Sequence, residues 1–340
     1  MKARAISILT AALLIAALGC GSKDSGNASG TNGSEPAPSG KSEYKIAVIP
    51  KGSTHEFWKA VKAGAESAGK ELGVEVIWKG PMKEDDRESQ IKVVEDFTTQ
   101  QVSGIVLAPL DDTALRPPVE NAVRSNIPVV IIDSDLKGGD TVSFVATDNF
   151  KGGQMAGEEL ARLLGGKGRV VMLRYQEGSA STNFREEGFL DAIKKHPEIE
   201  VVSANQYAGA TTESAQKAAE NLLAPLKKDD GSLGVDGIFT PNESSTFGML
   251  RVLQDSQWAG KVKFVGFDAS QKLVDGLKAG ELQGLILQNP EKMGYLGVKT
   301  MVEHLKGTKV EKRIDTGAVL VTQENMEQPD VAKLLAPPKE

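Results

Sequence analysis

The sequence predicts an α/β protein with two doubly wound parallel sheets, and three observations support this. From Tyr44 onward, short apolar runs bounded by glycine or proline alternate with stretches of helical length, a pattern typical of βαβ units in a parallel sheet. The alternation continues to Ala146 and restarts at Gly152. Roughly 300 of the 340 residues lie in this part of the chain, which is about right for two domains.

The first twenty residues are predicted to be a lipoprotein signal peptide. Lys2 and Arg4 precede an apolar run, Ala5–Leu18, that is too short to span a bilayer. The run leads to Cys20, the only cysteine, in a pattern that matches the lipobox of bacterial lipoproteins. Lipidation would explain a lone thiol in an exported protein, and the alternative is an unmodified cysteine after a plain signal peptide. Residues 21–43, rich in Gly, Ser, Asn and Pro, are expected to be a flexible tether.

Charge and motifs argue against a nucleic-acid partner and against the common enzymes of this architecture. The net charge is −6 and no basic stripe is visible, whereas a nucleic-acid-binding surface is basic. The first strand is followed by KGSTHEFW, which lacks the Gly-x-Gly-x-x-Gly spacing of a dinucleotide site. There is no complete P-loop, no Gly-x-Ser-x-Gly elbow and no histidine pair at zinc spacing. We therefore expect neither catalysis nor a cofactor nor a metal.

In the first set of units, each strand and helix has its own signal. Ile46–Ile49 is an apolar run ended by Pro50, as in a buried parallel strand. A helix from about Ala60 should end before Gly73, and Pro128–Asp133 contains the strongly β-prone VVII. The other elements of this set are predicted at Val74–Trp78, Glu88–Gln100, Gly104–Ala108, Thr113–Ser125 and Val142–Ala146.

The second set repeats this alternation. Helices are predicted at Gly152–Leu164, Asn183–Lys195, Thr212–Leu226, Ser245–Gln254, Gln271–Ala279 and Met293–Leu305. Strands are predicted at Arg169–Leu173, Glu200–Ala204, Gly237–Thr240, Lys263–Phe267, Gly284–Gln288 and Val319–Val321. No segment of either set approaches the length of apolar residues that spans a bilayer.

Two adjacent aromatic residues, Phe57 and Trp58, follow the first strand in what we predict to be a loop. Loops at the carboxyl ends of strands are where ligands bind in open α/β sheets. The pair could offer a flat apolar face to a ligand, or it could only cover the sheet edge and staple the start of the helix.

Several motifs, taken in order, resemble the ribose-type periplasmic sugar-binding proteins of ABC transporters, which share a fold with the lac repressor core. The resemblance covers Tyr44 to Val321, and FVATDNFKGGQMAGEEL, starting at Phe144, is its most specific part. The other motifs are HEFW, PVVIID, FREEGF, IFTPNE, VGFD and LQNP. The resemblance implies two lobes joined by three crossings, near Asp148, Gln288 and Gly317. The lobes would comprise residues 44–148 plus 289–317 and residues 149–288 plus 318–336.

The resemblance also implies a sugar site in the cleft between the lobes. Its residues, carried over one at a time, are Phe57 and Trp58 for stacking and Asp133, Arg185, Asn242, Asp268 and Gln288 for hydrogen bonding. Planar polar groups suit sugar hydroxyls, which donate and accept. The alternative for Asp133 and Asp268 is N-capping of a following helix. We expect these side chains to lie in a wet cleft.

Some positions depart from the ribose pattern. His55, which we also count among the candidate ligand contacts, and Ala108 stand where the ribose binders have asparagine, and Ser134 stands where they have arginine. These departures favour a roomier cleft and put ribose in doubt as the ligand. The aromatic residue of the second lobe is missing, with Tyr207 two positions away. Asp135, Lys79 and Asn183 are candidate extra contacts.

The function implied is that of an exported, lipid-anchored and monomeric receptor, periplasmic or otherwise extracytoplasmic, that passes a sugar to an ABC permease and its ATPase. Two alternatives stay open. The ligand could be a nucleoside, a cyclitol or a signalling furanose, or the protein could signal through a membrane receptor kinase. The signal peptide and the lack of a helix-turn-helix argue against a repressor.

Overall fold

A computed structural model describes residues 43–336 and shows two lobes, each with one sheet. The sheet of the N-terminal lobe is wholly parallel, with strand order β11-β5-β4-β3-β1-β2. Its strands are β1 (Lys45–Ile49), β2 (Glu75–Trp78), β3 (Gly104–Leu107), β4 (Val129–Ile132), β5 (Ser143–Ala146) and β11 (Arg313–Asp315). Helices α1 (Glu56–Leu72), α2 (Arg87–Thr99), α3 (Arg116–Arg124) and α9 (Pro290–Leu305) cover it, and its central strands are fully buried.

The sheet of the C-terminal lobe has the order β12-β10-β9-β8-β6-β7, and only its edge strand β12 runs antiparallel. Its strands are β6 (Lys167–Arg174), β7 (Glu198–Tyr207), β8 (Gly237–Phe239), β9 (Lys263–Phe267), β10 (Gly284–Gln288) and β12 (Ala318–Val321). Its helices are α4 (Asn149–Leu163), α5 (Ala180–Ile193), α6 (Thr212–Leu223), α7 (Glu243–Asp255), α8 (Gln271–Lys278) and α10 (Pro329–Leu335). The α/β fold with two doubly wound lobes that the sequence predicted is confirmed.

The chain passes between the two sheets at residues 147–148, at Asn289 and at residues 316–317. The third passage is the tightest, since only two residues separate β11 from β12. Gly317 has a φ of 85° there, a left-handed conformation that favours glycine. The crossings leave the carboxyl ends of the parallel strands of each lobe facing the other lobe.

Close packing of α4 against α5 explains the glycines of the most specific motif. A Cβ on Gly153 would clash with the carbonyl oxygen of Arg185, and a Cβ on Gly188 would clash with that of Phe150. The two helices can therefore approach only because these positions carry no side chain. This contact places Arg185 at the edge of the C-terminal lobe.

The structure corrects several predicted boundaries. Helix α1 begins at Glu56, so Phe57 and Trp58 lie in its first turn and not in a loop. The acidic Glu56 favours this earlier start, because negative charge stabilises a helix N-terminus. Helix α6 ends at Leu223, earlier than predicted, and a short 3₁₀ turn that contains Pro225 follows it. Strand β11 and helix α10 were not predicted, because three and seven residues are too few for a clear periodic pattern.

Candidate functional site

A small cavity lies between the lobes, and we call it the inner cavity. Its volume is about 20 Å³, room for about one water molecule. It is lined by Lys51, His55, Phe57, Trp58, Glu84, Asp133, Tyr175, Ser181, Thr182, Arg185, Asn242, Glu243, Asp268 and Gln288.

The topology explains why these residues meet. Asp133, Tyr175 and Asp268 each directly follow the last residue of a buried strand, and Gln288 is the last residue of β10. Because parallel strands end at the same edge of a sheet, these side chains converge where the two sheets face each other. Asp133 and Asp268 occupy equivalent positions in the two lobes, and both have positive φ, 60° and 67°. Strained aspartates of this kind often lie at functional sites.

Arg185 lies at the centre of the site, and the protein holds it rigidly. Its Nε donates to Asn149 Oδ1 at 2.8 Å, and its Nη1 donates to the carbonyl oxygen of Pro241 at 2.9 Å. The guanidinium also lies over the ring of Phe267, 4.1 Å from the ring centroid. A side chain locked in this way is preorganised to bind a ligand.

Arg185 lies between the carboxylates of the two lobes, 3.9 Å from Asp133 Oδ1 and 4.0 Å from Asp268 Oδ2. Asp268 accepts hydrogen bonds from Gln288 Nε2 at 2.7 Å and from the backbone N–H of Glu243 at 3.0 Å. Burial raises the pKa of Asp268, while Arg185 and the Gln288 hydrogen bond oppose that rise.

The sequence expectation of a wet cleft is wrong. The exposed fractions of Asp133, Arg185 and Asp268 are 4%, 2% and 6%. These charges are buried because the two lobes are in contact around them.

Lys51 is a buried cation that joins the two lobes. Its Nζ contacts Asp133 Oδ2 of its own lobe at 3.0 Å. It also donates to Ser179 Oγ at 3.2 Å and to Ser181 Oγ at 2.9 Å, both in the other lobe. All three ammonium hydrogens thus have acceptors, which offsets the desolvation of the charge.

Glu84, from the segment before α2, is the centre of a second cluster. Its Oε1 lies 2.5 Å from His55 Nδ1 and accepts from Trp58 Nε1 at 2.6 Å. Its Oε2 accepts from the Tyr175 hydroxyl of the other lobe at 2.7 Å. Burial opposes both charged forms, but the mutual attraction of the pair outweighs it, so the pKa of His55 is raised and the pKa of Glu84 is lowered.

Glu243 bridges the lobes in a different way. Its carboxylate accepts hydrogen bonds from the backbone N–H groups of Glu56 at 3.2 Å and Phe57 at 3.1 Å. His55, the N-cap residue of α1, makes no side-chain capping bond, so a residue of the other lobe caps this helix. Burial raises the pKa of Glu243 to about 7, although His55 and the two N–H groups oppose the rise.

Two buried polar atoms at the inner cavity have no hydrogen-bond partner within the described residues. They are Arg185 Nη2, a donor, and Gln288 Oε1, an acceptor. Buried polar groups are nearly always paired, so an unpaired donor and an unpaired acceptor in one cavity indicate a guest that can both donate and accept, such as a water molecule or a ligand hydroxyl.

The structure brings most of the predicted site residues together. His55, Phe57, Trp58, Asp133, Arg185, Asn242, Asp268 and Gln288 all line the inner cavity. Asn183 does not, because it lies two residues before Arg185 on α5, and residues two apart face different sides of a helix. Phe57 and Trp58 also pack in the core of their lobe, which supports the structural interpretation, while the stacking role of this pair stays a prediction.

The other candidate contacts lie outside the inner cavity. Lys79 pairs with Asp96 at 3.2 Å, and Asp135 pairs with Arg313 at 3.1 Å. Tyr207 is 40% exposed and does not supply the missing aromatic residue.

The helix-capping alternative also needs correction. Helix α8, which follows Asp268, begins after Ser270, and Asp268 instead binds the first residue of α7. The capping residue of α7 is Asn242, whose Oδ1 accepts from the backbone N–H of Ser245 at 3.2 Å.

Residues that were not predicted fill the space around Arg185, so the departures from the ribose pattern do not make the inner cavity itself roomier. These residues are Lys51, Glu84, Tyr175, Ser181, Thr182 and Glu243. Lys51 and Tyr175 closely follow buried strands, and that position was a usable signal. Glu84 lies in an irregular segment, and no sequence pattern marks it.

Neither a candidate metal site nor a membrane-spanning helix occurs within residues 43–336. No group of three or more His, Cys, Asp or Glu side chains there could hold a metal ion. No helix in this range is long and apolar enough to cross a bilayer.

Two α/β lobes, three short crossings and a buried polar site between facing strand ends define a two-lobed solute-binding protein. Residues 46–309 match the family model of the periplasmic binding protein domain. The chain belongs to the periplasmic binding protein family.

Curated relatives and solved structures agree. The ribose import binding protein of Haemophilus influenzae is 32% identical over 285 residues, which cover 84% of this chain and 94% of that protein. The carbohydrate transporter solute-binding protein of Agrobacterium radiobacter, solved with D-arabinose, is 35% identical with a TM-score of 0.82, covering 86% of this chain and 99% of that one. An ABC transporter solute-binding protein of Agrobacterium vitis, solved with bound D-fucose, is 35% identical with a TM-score of 0.81, and the match covers 86% of this chain and 100% of that one.

Proposed function

We propose that this protein is the sugar-binding receptor of an ABC importer. The observation that carries the proposal is the unpaired donor of Arg185 and the unpaired acceptor of Gln288 in one buried cavity. A sugar hydroxyl is both a donor and an acceptor, so it can satisfy both atoms at once. The relatives described above bind ribose, D-arabinose and D-fucose according to their names.

The charges around the inner cavity favour a neutral ligand. Lys51, His55 and Arg185 face the carboxylates of Glu84, Asp133 and Asp268. Glu243, whose pKa burial raises to about 7, adds only part of one more negative charge, so cations and anions nearly cancel. A phosphorylated or acidic sugar would leave an excess buried charge without a partner, which is strongly unfavourable.

Binding requires the lobes to move, because the inner cavity has room for only about one water molecule. The three short crossings are the natural hinge, and Lys51, Glu84 and Glu243 make the contacts that must break on opening. Closure over a sugar would bury the ring against Trp58 and bring the lobes together around a larger cavity than the present one. A permease can then distinguish the loaded from the empty receptor by the separation of the lobes.

We also propose that the receptor is exported and anchored to the membrane through a lipid on Cys20, and that it acts as a monomer. Cys20 and the tether lie outside the described residues. Genes for a permease and an ATPase beside this gene would support transport, whereas a receptor-kinase gene there would support sensing.

The test has two parts. Mass spectrometry of ligand released from the purified protein should identify a neutral sugar. Calorimetry with D-ribose, D-allose, D-arabinose, D-fucose and D-tagatose should find at least one that binds. Arg185→Met should abolish this binding, while Arg169→Met, an exposed arginine at the far end of β6, should leave it unchanged. A released ligand that is not a sugar, together with no binding from the panel, would refute the proposal.

A further inference from the structure

A second, larger cavity adjoins the inner cavity, and we call it the outer chamber. Its volume is about 590 Å³, against about 20 Å³ for the inner cavity. Its walls are the first turns of α1, α6, α7 and α8, together with the end of α10. Ligand sites commonly have volumes of about 300–1,000 Å³, a range that includes the outer chamber and excludes the inner cavity as it stands.

The two cavities share a wall. His55, Phe57, Glu243, Asp268 and Gln288 line both of them. A sugar held by Asp268 and Gln288 would therefore lie directly against the outer chamber. The partition is the side chain of Glu243, which reaches from α7 to the N–H groups of Glu56 and Phe57.

The walls of the outer chamber are mainly apolar on one side and mixed in charge at the rim. Ala60, Phe247 and Leu334 supply apolar surface, and Lys272 Nζ lies 4.7 Å from the centroid of the Phe247 ring. Lys83 and Glu213 contribute charges of opposite sign. Because neither sign dominates, the chamber suits a neutral group with an apolar face, such as a second ring that packs on Phe247.

We propose that the natural ligand is a glycoside, with its sugar ring held by Asp268 and Gln288 in the inner cavity, which must enlarge when the lobes move, and a neutral cyclic substituent in the outer chamber. This inference rests on the proposed sugar-binding function. It gives a use to the larger space, which the present arrangement of the lobes leaves directly beside Asp268 and Gln288.

The test compares free sugars with their phenyl glycosides by calorimetry. The probes are D-arabinose, D-fucose and D-allose, each with its α- and β-phenyl glycoside. We expect at least one phenyl glycoside to bind ten-fold or more tightly than its free sugar, because the phenyl ring gains contact with Phe247 and Leu334.

Two variants locate the substituent. Ala60→Phe fills the outer chamber and should remove the preference for the glycoside while changing free-sugar affinity less than two-fold. Ala63→Phe, one turn further along α1 and outside both cavities, is the matched control and should change neither affinity. Phe247→Ala, which creates space and introduces no bulk, should reduce the preference by a second route.

The outcomes separate the two proposals. Free sugars that bind as tightly as every glycoside, with no effect of Ala60→Phe, would overturn the glycoside inference and leave sugar binding intact. Failure of both free sugars and glycosides to bind would overturn the sugar function and the inference with it.

Discussion

Removal of the Asp268 carboxylate should lower both the stability of the protein and its affinity for sugar. Asp268→Ala deletes two hydrogen bonds that the carboxylate accepts, one from Gln288 Nε2 at 2.7 Å and one from the backbone N–H of Glu243 at 3.0 Å. It also leaves Arg185, which is 2% exposed, with Asp133 at 3.9 Å as its nearest remaining carboxylate.

The magnitude follows from these contacts. Each hydrogen bond to a charged group contributes about 1.5–3 kcal/mol, and loss of one partner of a buried ion pair typically costs about 3–5 kcal/mol. The contributions share one network and do not add, so we expect a fall of about 3–5 kcal/mol in the free energy of unfolding. Asp268→Asn keeps one acceptor oxygen and should lose about half of this. Sugar affinity should fall by about one to two decades in Asp268→Ala.

The assay is urea denaturation of the ligand-free protein, followed by calorimetric titration with the sugar that binds best. Asp255→Ala, an exposed aspartate at the end of α7, is the matched control and should stay within about 0.5 kcal/mol of the unmodified protein. An Asp268→Ala protein as stable as the control would refute the buried network. A destabilised Asp268→Ala protein with full sugar affinity would refute only the role of Asp268 in binding.

Three further predictions concern the lobe contacts and the anchor. Glu243→Gln should weaken the cap on α1 and shift the ligand-free protein toward open forms. Solution scattering should then give a larger radius of gyration for this variant than for the control variant Glu56→Gln. Equal radii for the two variants would contradict the prediction. His55 has its pKa raised from 6.5 to about 9, so its stabilising effect is complete below pH 6.5 and is lost as the pH rises through about 9. The melting temperature of the unmodified protein should therefore fall between pH 7 and 9.5, and that of Glu84→Gln should fall less. Parallel curves of melting temperature against pH for these two proteins would count against the His55–Glu84 ion pair. Cys20→Ser should release the protein from the membrane fraction, and unchanged fractionation would exclude the lipid anchor.

The sequence determined the architecture because strand ends and apolar runs are local features. The buried run Val129–Ile132 and the turn residues around it predict a parallel strand wherever they occur. Strand ends by themselves indicated only the edge where ligands bind, and the family resemblance selected Asp133, Asp268 and Gln288 there. Resemblance to a known family then indicated the polarity of the site and the residue that each lobe contributes.

Only the tertiary structure decided how the site is filled. Lys51 meets Ser181 and Glu84 meets Tyr175 across 130 and 91 positions of sequence, so no local pattern could pair them. Their burial depends on contact between the lobes. The same contact buries the charged side chains that were expected to lie in a wet cleft. The outer chamber has the same origin, because its walls come from five helices that are distant in sequence. Local composition determines which side chains lie at a strand end, whereas the space between two lobes depends on how both close around it.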